Sequence, residues 1–213
     1  PHPRLLITPA HIECARRGHA HPRARAAAAL VDAAARVYAR SPLFDWDPHN
    51  GHNAHLIRAR RMQGRIVTLL AAWALSGGDE RYRRAVVEHV AEMDRWTHWS
   101  WIAWRQGDAA HDAIFDLSYG ENSATLALAY DLLAPVLSEP ERTSIRDIAD
   151  RRALRSFRLH TDPAKPAWWM NRPNCNWQSV CAGGGGLLAL AMAGELPDME
   201  PLVERADDAC LRY

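Results

Sequence analysis

The chain has 213 residues, with 26 basic and 25 acidic side chains and a formal net charge of +1. That balance excludes the clearly basic profile of a nucleic-acid binder, and no run approaches the roughly 18 consecutive apolar residues of a membrane span. At 48% hydrophobic residues the composition is that of an ordinary globular domain with a sizeable core, and the unusual count is nine Trp against three Phe, an excess of rings that stack and hydrogen-bond at once.

Thr8-Pro9 predicts an N-cap with proline at the first helical position, opening a short helix to about Arg17. An Ala-rich helix follows over 22–40. Residues 41–53 hold Pro42, Pro48 and Gly51 and read as a loop. Segment 55–76 is apolar on most sides in its second half and stops at Gly77-Gly78. Residues 79–96 carry one apolar stripe, Tyr82, Val86, Val90 and Met93, among charges.

The pattern then recurs. From Ser118 an apolar helix (Leu126, Leu128, Tyr130, Leu132, Leu133) leads to Ser138-Glu139-Pro140-Glu141, a cap with acids in the first turn. A charged helix with Ile145 and Ile148 on one side follows. From Asn176 a third apolar helix (Val180, Leu187, Leu188, Leu190) ends at Gly194, and Pro197-Asp198 predicts the start of a last striped helix. No segment shows the alternation of a strand.

A helix apolar on all sides must be covered on all sides, whereas a striped helix keeps one face in water. The apolar helices therefore belong to an inner layer and the striped ones to an outer layer. The expected fold is all-α: residues 1–53 form a helical lead-in and loop, and 54–213 form three inner/outer hairpins of an incomplete α/α toroid. A non-catalytic α-solenoid binding module obeys the same layering rule. The repeat of about 60 residues differs from the tetratricopeptide unit of about 34. The long loops 97–117 and 161–175 favour a toroid, whose loops build a cleft.

Lys165 is the only lysine, so arginine supplies the remaining basic charge. Arginine grips carboxylates and sulfates bidentately, and eleven His would raise affinity for a polyanion in acid. Cys14, Cys175, Cys181 and Cys210 lack zinc-finger spacing and read as buried free thiols. His49, His52 and His55 lie three apart, but Pro48 and Gly51 argue for a loop, and neither a metal nor a cofactor is expected. Trp96, Trp99, Trp101 and Trp104 form one aromatic cluster, of which two are expected to pack and the others to reach a cleft.

The richest segment is 166–181. It holds Trp168, Trp169 and Trp177 as a sugar platform, Asn174, Asn176 and Gln178 as amide donors, and Arg172. Four glycines, Gly183 to Gly186, follow inside a helix at roughly 1 kcal/mol each, a cost that close packing or an approaching ligand must offset. Tyr119, Glu121 and Asn122 start an inner helix and are further candidates for sugar contacts. Asp112, Asp116 and Glu121 are alternatives as an acid/base pair for glycoside hydrolysis, which needs two carboxylates at a set separation.

Three motifs carry a resemblance. His2-Pro3-Arg4-Leu5-Leu6-Ile7-Thr8 resembles the opening of heparinase II/III-like polysaccharide lyases, Tyr130-Asp131-Leu132-Leu133 resembles a helix end of that family, and Asn174-Cys175-Asn176-Trp177-Gln178-Ser179-Val180-Cys181-Ala182-Gly183-Gly184 is similar to its Asn/Trp segment. The resemblance implies an α/α toroid followed by a β-sandwich domain. It also implies β-elimination across a uronate glycosidic bond in an acidic polysaccharide or oligosaccharide. Asn174 and Asn176 match the position where the family neutralises the substrate carboxylate. The family's neighbouring His has no counterpart in the segment, and its catalytic Tyr and a later His lie beyond Tyr213. The chain is therefore expected to be the N-terminal part of an enzyme, inactive alone. The resemblance implies a periplasmic or secreted protein, although the chain opens Pro1-His2-Pro3 without a signal peptide.

Overall fold

The computed structural model describes residues 2–41, 54–100, 108, 110 and 113–212. Those residues are all-helical, as the periodicity predicts, and the only strand-like contact among them is an isolated bridge between Ala193 and Leu196. Helix α1 is Pro9–Arg17, capped by Thr8 in a reciprocal box with His11. Helix α2 is Pro22–Arg40 and α3 is Ala54–Leu75. Helix α4, Glu80–Arg95, is capped by Asp79, and α5, Leu117–Leu133, by Asp116. Helix α6, Glu139–Ala149, starts at a Ser138/Glu141 capping box. A π-helical turn, Asp150–Leu154, joins it to α7, Arg155–His160. After a 3-10 turn at Trp168–Asn171 come α8, Asn176–Met192, and α9, Glu200–Leu211.

The start of α9 differs from the sequence expectation. Pro197-Asp198 does not open it, because Asp198 sits at φ 58 and the preceding Gly194 at φ 77. Both are left-handed, so the link cannot run on as right-handed helix. Met199 takes the cap position instead.

The apolar helices α3, α5 and α8 pack in a row, with α5 in the middle, and α4, α6 and α9 each pack on the apolar helix that precedes them. The row is parallel. Arg60 and Gln63 of α3 meet Glu121 of α5, while Val67 and Ala74 line the same crevice as Leu128 and Leu132. Flanked on both sides, α5 is buried along almost its whole length, which is why its sequence has no polar face.

The glycine run has a packing explanation at three of its four positions. A Cβ at Gly184 would run into the backbone carbonyl of Gly120, one at Gly185 into the Phe157 ring, and one at Gly186 into Ala206, while Gly183 faces open space. Helices α5 and α8 thus touch backbone to backbone, and side-chain bulk is excluded there.

Residues 2–5 are fastened to the far ends of α5 and α8. The Asp131 carboxylate accepts hydrogen bonds from the backbone N–H of Arg4 (2.8 Å) and Leu5 (2.9 Å). It also lies 2.7 Å from His2 Nδ1. The Arg4 guanidinium donates to the carbonyl of Ala193 (2.7 Å) and meets His2 Nε2 at 2.8 Å. His2 Nε2 also lies 3.7 Å from the Glu195 carboxylate, so the imidazole is held between Asp131, Arg4 and Glu195. Burial and the Glu195 carboxylate push the nearby Tyr130 phenol up to about 12. All four cysteines are free, but only Cys181 is buried. Cys14 and Cys210 are exposed, contrary to the expectation of buried thiols.

Candidate functional site

Because α3, α5 and α8 run parallel, their N-terminal ends share one end of the molecule. Peptide dipoles add there, and unpaired N–H groups favour negative charge. The segments leading into these helices interlock. Trp169 Nε1 donates to the carbonyl of Phe115 at 3.0 Å, Cys181 Sγ lies 3.9 Å from the same oxygen, and the Arg58 guanidinium of α3 donates to the carbonyl of His98.

The inner part of this end is cationic and aromatic. Arg58 is 5% exposed and lies 4.0 Å above the Trp96 ring. Arg152, equally buried, lies 5.3 Å above the Trp99 ring and donates to the carbonyl of Trp96 at 2.5 Å. Arg152 comes from the π-helical turn, whose extra residue per turn changes the direction of the side chains that follow. Trp99 is fixed by its Nε1 bond to the carbonyl of Met93 (3.0 Å) and tilts against Tyr119. Burial, and then the like charge of Arg152, lowers the Arg58 guanidinium to about 10. Two buried cations held by carbonyls and ring faces, with the Asp94 carboxylate 4.0 Å from Arg152, staple segment 96–100.

The outer part is open. Trp168 is half exposed and leans on half-buried Trp177, with ring centroids 5.1 Å apart and a 48° tilt. The Arg172 guanidinium lies 5.8 Å over the Trp168 ring. Asn174 and Asn176, in the same stretch of chain, are exposed. Asn174 adopts φ 61, a left-handed conformation that asparagine tolerates, and Asn176 is the first residue of α8. One surface therefore presents two indoles, one guanidinium and two amides at a helix N-terminus.

Five expected contact residues are not on that surface. Trp169 is 1% exposed, and its indole N–H is spent on Phe115, so it belongs to the core. Tyr119 is packed between Trp99 and Phe115. Asn122 is buried in α5, whose flanks are both covered. Gln178 is fully buried and donates to the carbonyl of Met170 at 3.1 Å, fixing the 3-10 turn to α8. Glu121 is largely covered and paired with Arg60 at 2.9 Å.

Two of the three carboxylates named for hydrolysis, Asp116 and Glu121, are engaged within the chain in a similar way. Asp116 is buried and accepts from the N–H groups of Ser118 and Tyr119 as the α5 cap. Asp112, Trp101, Trp104, His49 and His52 lie outside the described residues. Among the described residues no three His, Cys, Asp or Glu side chains gather as metal ligands, and no helix is long and apolar enough to cross a membrane.

Arg152 is absent from the sequence-based candidates, whereas Arg58, with Arg60, Arg61 and Arg65, reads from the sequence either as a solvated helix end or as a site for acidic sugar. Arg152 sits in a charged stretch that reads as a solvated helix face. The available signal was the Trp-rich segment 96–99, whose rings need partners. No protein-family model matches the chain, and no curated protein matches it.

Proposed function

We propose that the hairpin row is an arc of an α/α toroid, and that the chain is the acidic-sugar-binding part of a polysaccharide lyase. The observation that carries this reading is the exposed Trp168–Trp177 pair, with Arg172 over it and Asn174 and Asn176 exposed in the same stretch of chain at the start of α8. An indole face takes the C–H face of a pyranose. A guanidinium and two amides offer N–H groups to a uronate carboxylate. The helix N-terminus favours that negative charge.

In β-elimination the C5 proton leaves to a base, its electrons form the C4–C5 double bond, and the C4–O bond breaks with protonation of the departing oxygen. Withdrawing charge from the carboxylate makes the C5 proton more acidic, and Asn174, Asn176 and Arg172 are assigned that role. The base and the acid come from outside this surface. The resemblance to heparinase II/III-like lyases supports the reading, and two of its motifs have a physical reason to occur together: His2 and Arg4 bind Asp131. A periplasmic or secreted location follows from the same resemblance.

The test is a titration of the chain with oligogalacturonate, oligoguluronate and a glucuronate-containing oligosaccharide, read by tryptophan fluorescence. Saturable quenching by at least one, lost in Trp168→Ala, is the expected result. No response to any of them overturns the sugar-binding reading. For the reaction, polymer cleavage by the enzyme containing this chain should give an unsaturated, ultraviolet-absorbing product. New reducing ends without that absorbance would establish hydrolysis instead.

A further inference from the structure

Away from the surface just described, α2 and α4 leave a groove of about 240 Å³ between them. Four arginines line it, Arg36, Arg40, Arg81 and Arg84, with Tyr82 on the wall and Glu88 as the one lining carboxylate. Two of these guanidinium groups are held in place from outside the groove. Asp32 accepts from Arg36 Nε (2.8 Å) and Nη2 (2.7 Å), and also from the Tyr82 hydroxyl (2.5 Å). Asp79 accepts from Arg81 Nε (3.1 Å) and Nη2 (2.6 Å).

In both arginines the carboxylate occupies the Nε/Nη2 edge, which leaves the Nη1 edge available. Among the described residues, Arg84 pairs with Glu80, at 3.8 Å, and Arg40 is in no ion pair. The groove thus combines two pre-oriented cations with two that have most of their donors unspent. Pre-orientation lowers the side-chain entropy lost when an anion arrives.

We propose that the α2/α4 groove binds a doubly charged tetrahedral oxyanion, a sulfate or phosphate group. A planar carboxylate satisfies one fork, whereas a tetrahedral group offers oxygens in four directions to several forks at once. The group comes either from a free ion or from an ester on a polymer. The site rests on its own geometry and stands whether or not the chain is part of a lyase.

The experiment titrates the protein at constant ionic strength with sodium sulfate, with sodium phosphate, and with a sulfated oligosaccharide beside its desulfated counterpart. Backbone amide shifts of α2 and α4 are the readout. Saturable shifts confined to the groove are expected with sulfate or phosphate. Arg40→Gln/Arg84→Gln, both at exposed positions, should keep the thermal transition and weaken the binding about tenfold or more. Saturation with the sulfated but not the desulfated oligosaccharide assigns the group to a polymer, and saturation with the free ions only assigns it to a small ligand. Shifts that grow without saturating, or a double variant that titrates like the parent, overturn the proposal.

Discussion

Trp99 and Trp168 both precede an inner helix and both stack with an arginine, yet they end in opposite environments. Trp99 is sealed in the core, with its N–H bonded to Met93 and Arg152 against its face. Trp168 keeps half its surface, with Trp177 beside it and Arg172 above. The buried pair fixes backbone, because Arg152 goes on to bond the carbonyl of Trp96. The open pair leaves a ring and a cation for something outside the chain. Burial of the same stacked pair therefore decides whether it acts as a staple or stays open to solvent.

Truncation gives the largest contrast. Trp99→Ala should cost about 3–5 kcal/mol in denaturant unfolding, the range for emptying a buried aromatic site, and Trp169→Ala should behave alike. Trp168→Ala should stay within about 1 kcal/mol of the parent, since it loses only a partly exposed contact. Comparable losses at Trp99 and Trp168 would erase the distinction.

The glycine run repeats the contrast on a smaller scale. Gly184→Ala forces α5 and α8 apart at Gly120 and should destabilise by about 1–3 kcal/mol in thermal or denaturant unfolding. Gly183→Ala meets open space and should stabilise by up to about 1 kcal/mol.

A subtler test titrates the buried side. His89 is fully buried and lies 2.7 Å from the carbonyl of Ala85, while its Nε2 has no partner. Burial lowers its pKa below the ordinary 6.5, so the unfolded chain binds the proton more readily than the folded one. The associated stability is complete above about pH 6.5 and is lost as the pH falls below it. His89→Gln should flatten that part of the stability–pH curve, and an unchanged slope would assign the acid sensitivity to other groups.

Helix positions were legible because their signals are local. Thr8-Pro9, Ser138 with Glu141, and Gly77-Gly78 each mark a boundary through bonds or φ values within a few residues. The layering was legible from how many sides of each helix are apolar. The site was legible only as a segment. Trp168 and Trp169 are adjacent, and a four-residue 3-10 turn is too short for periodicity to say which ring points inward. Gln178 looked like a donor to sugar and instead fastens the turn to α8. The burial of Arg58 and Arg152 was hidden because a buried guanidinium is recognised by what lies against it, and those contacts span 38 to 56 residues of sequence for Trp96 alone. The Asp131 clamp joins partners 126 to 129 residues apart, and no local pattern announces it.

The most direct test of the central claim compares uronate oligosaccharide binding by the parent, Trp168→Ala, Arg172→Ala and Asn174→Ala, with thermal unfolding of each measured in parallel. Saturable binding by the parent, weakened about tenfold or more in the variants at an unchanged transition temperature, is the predicted result. Undiminished binding in the variants, or no binding by the parent, would contradict the assignment of this surface to acidic sugar.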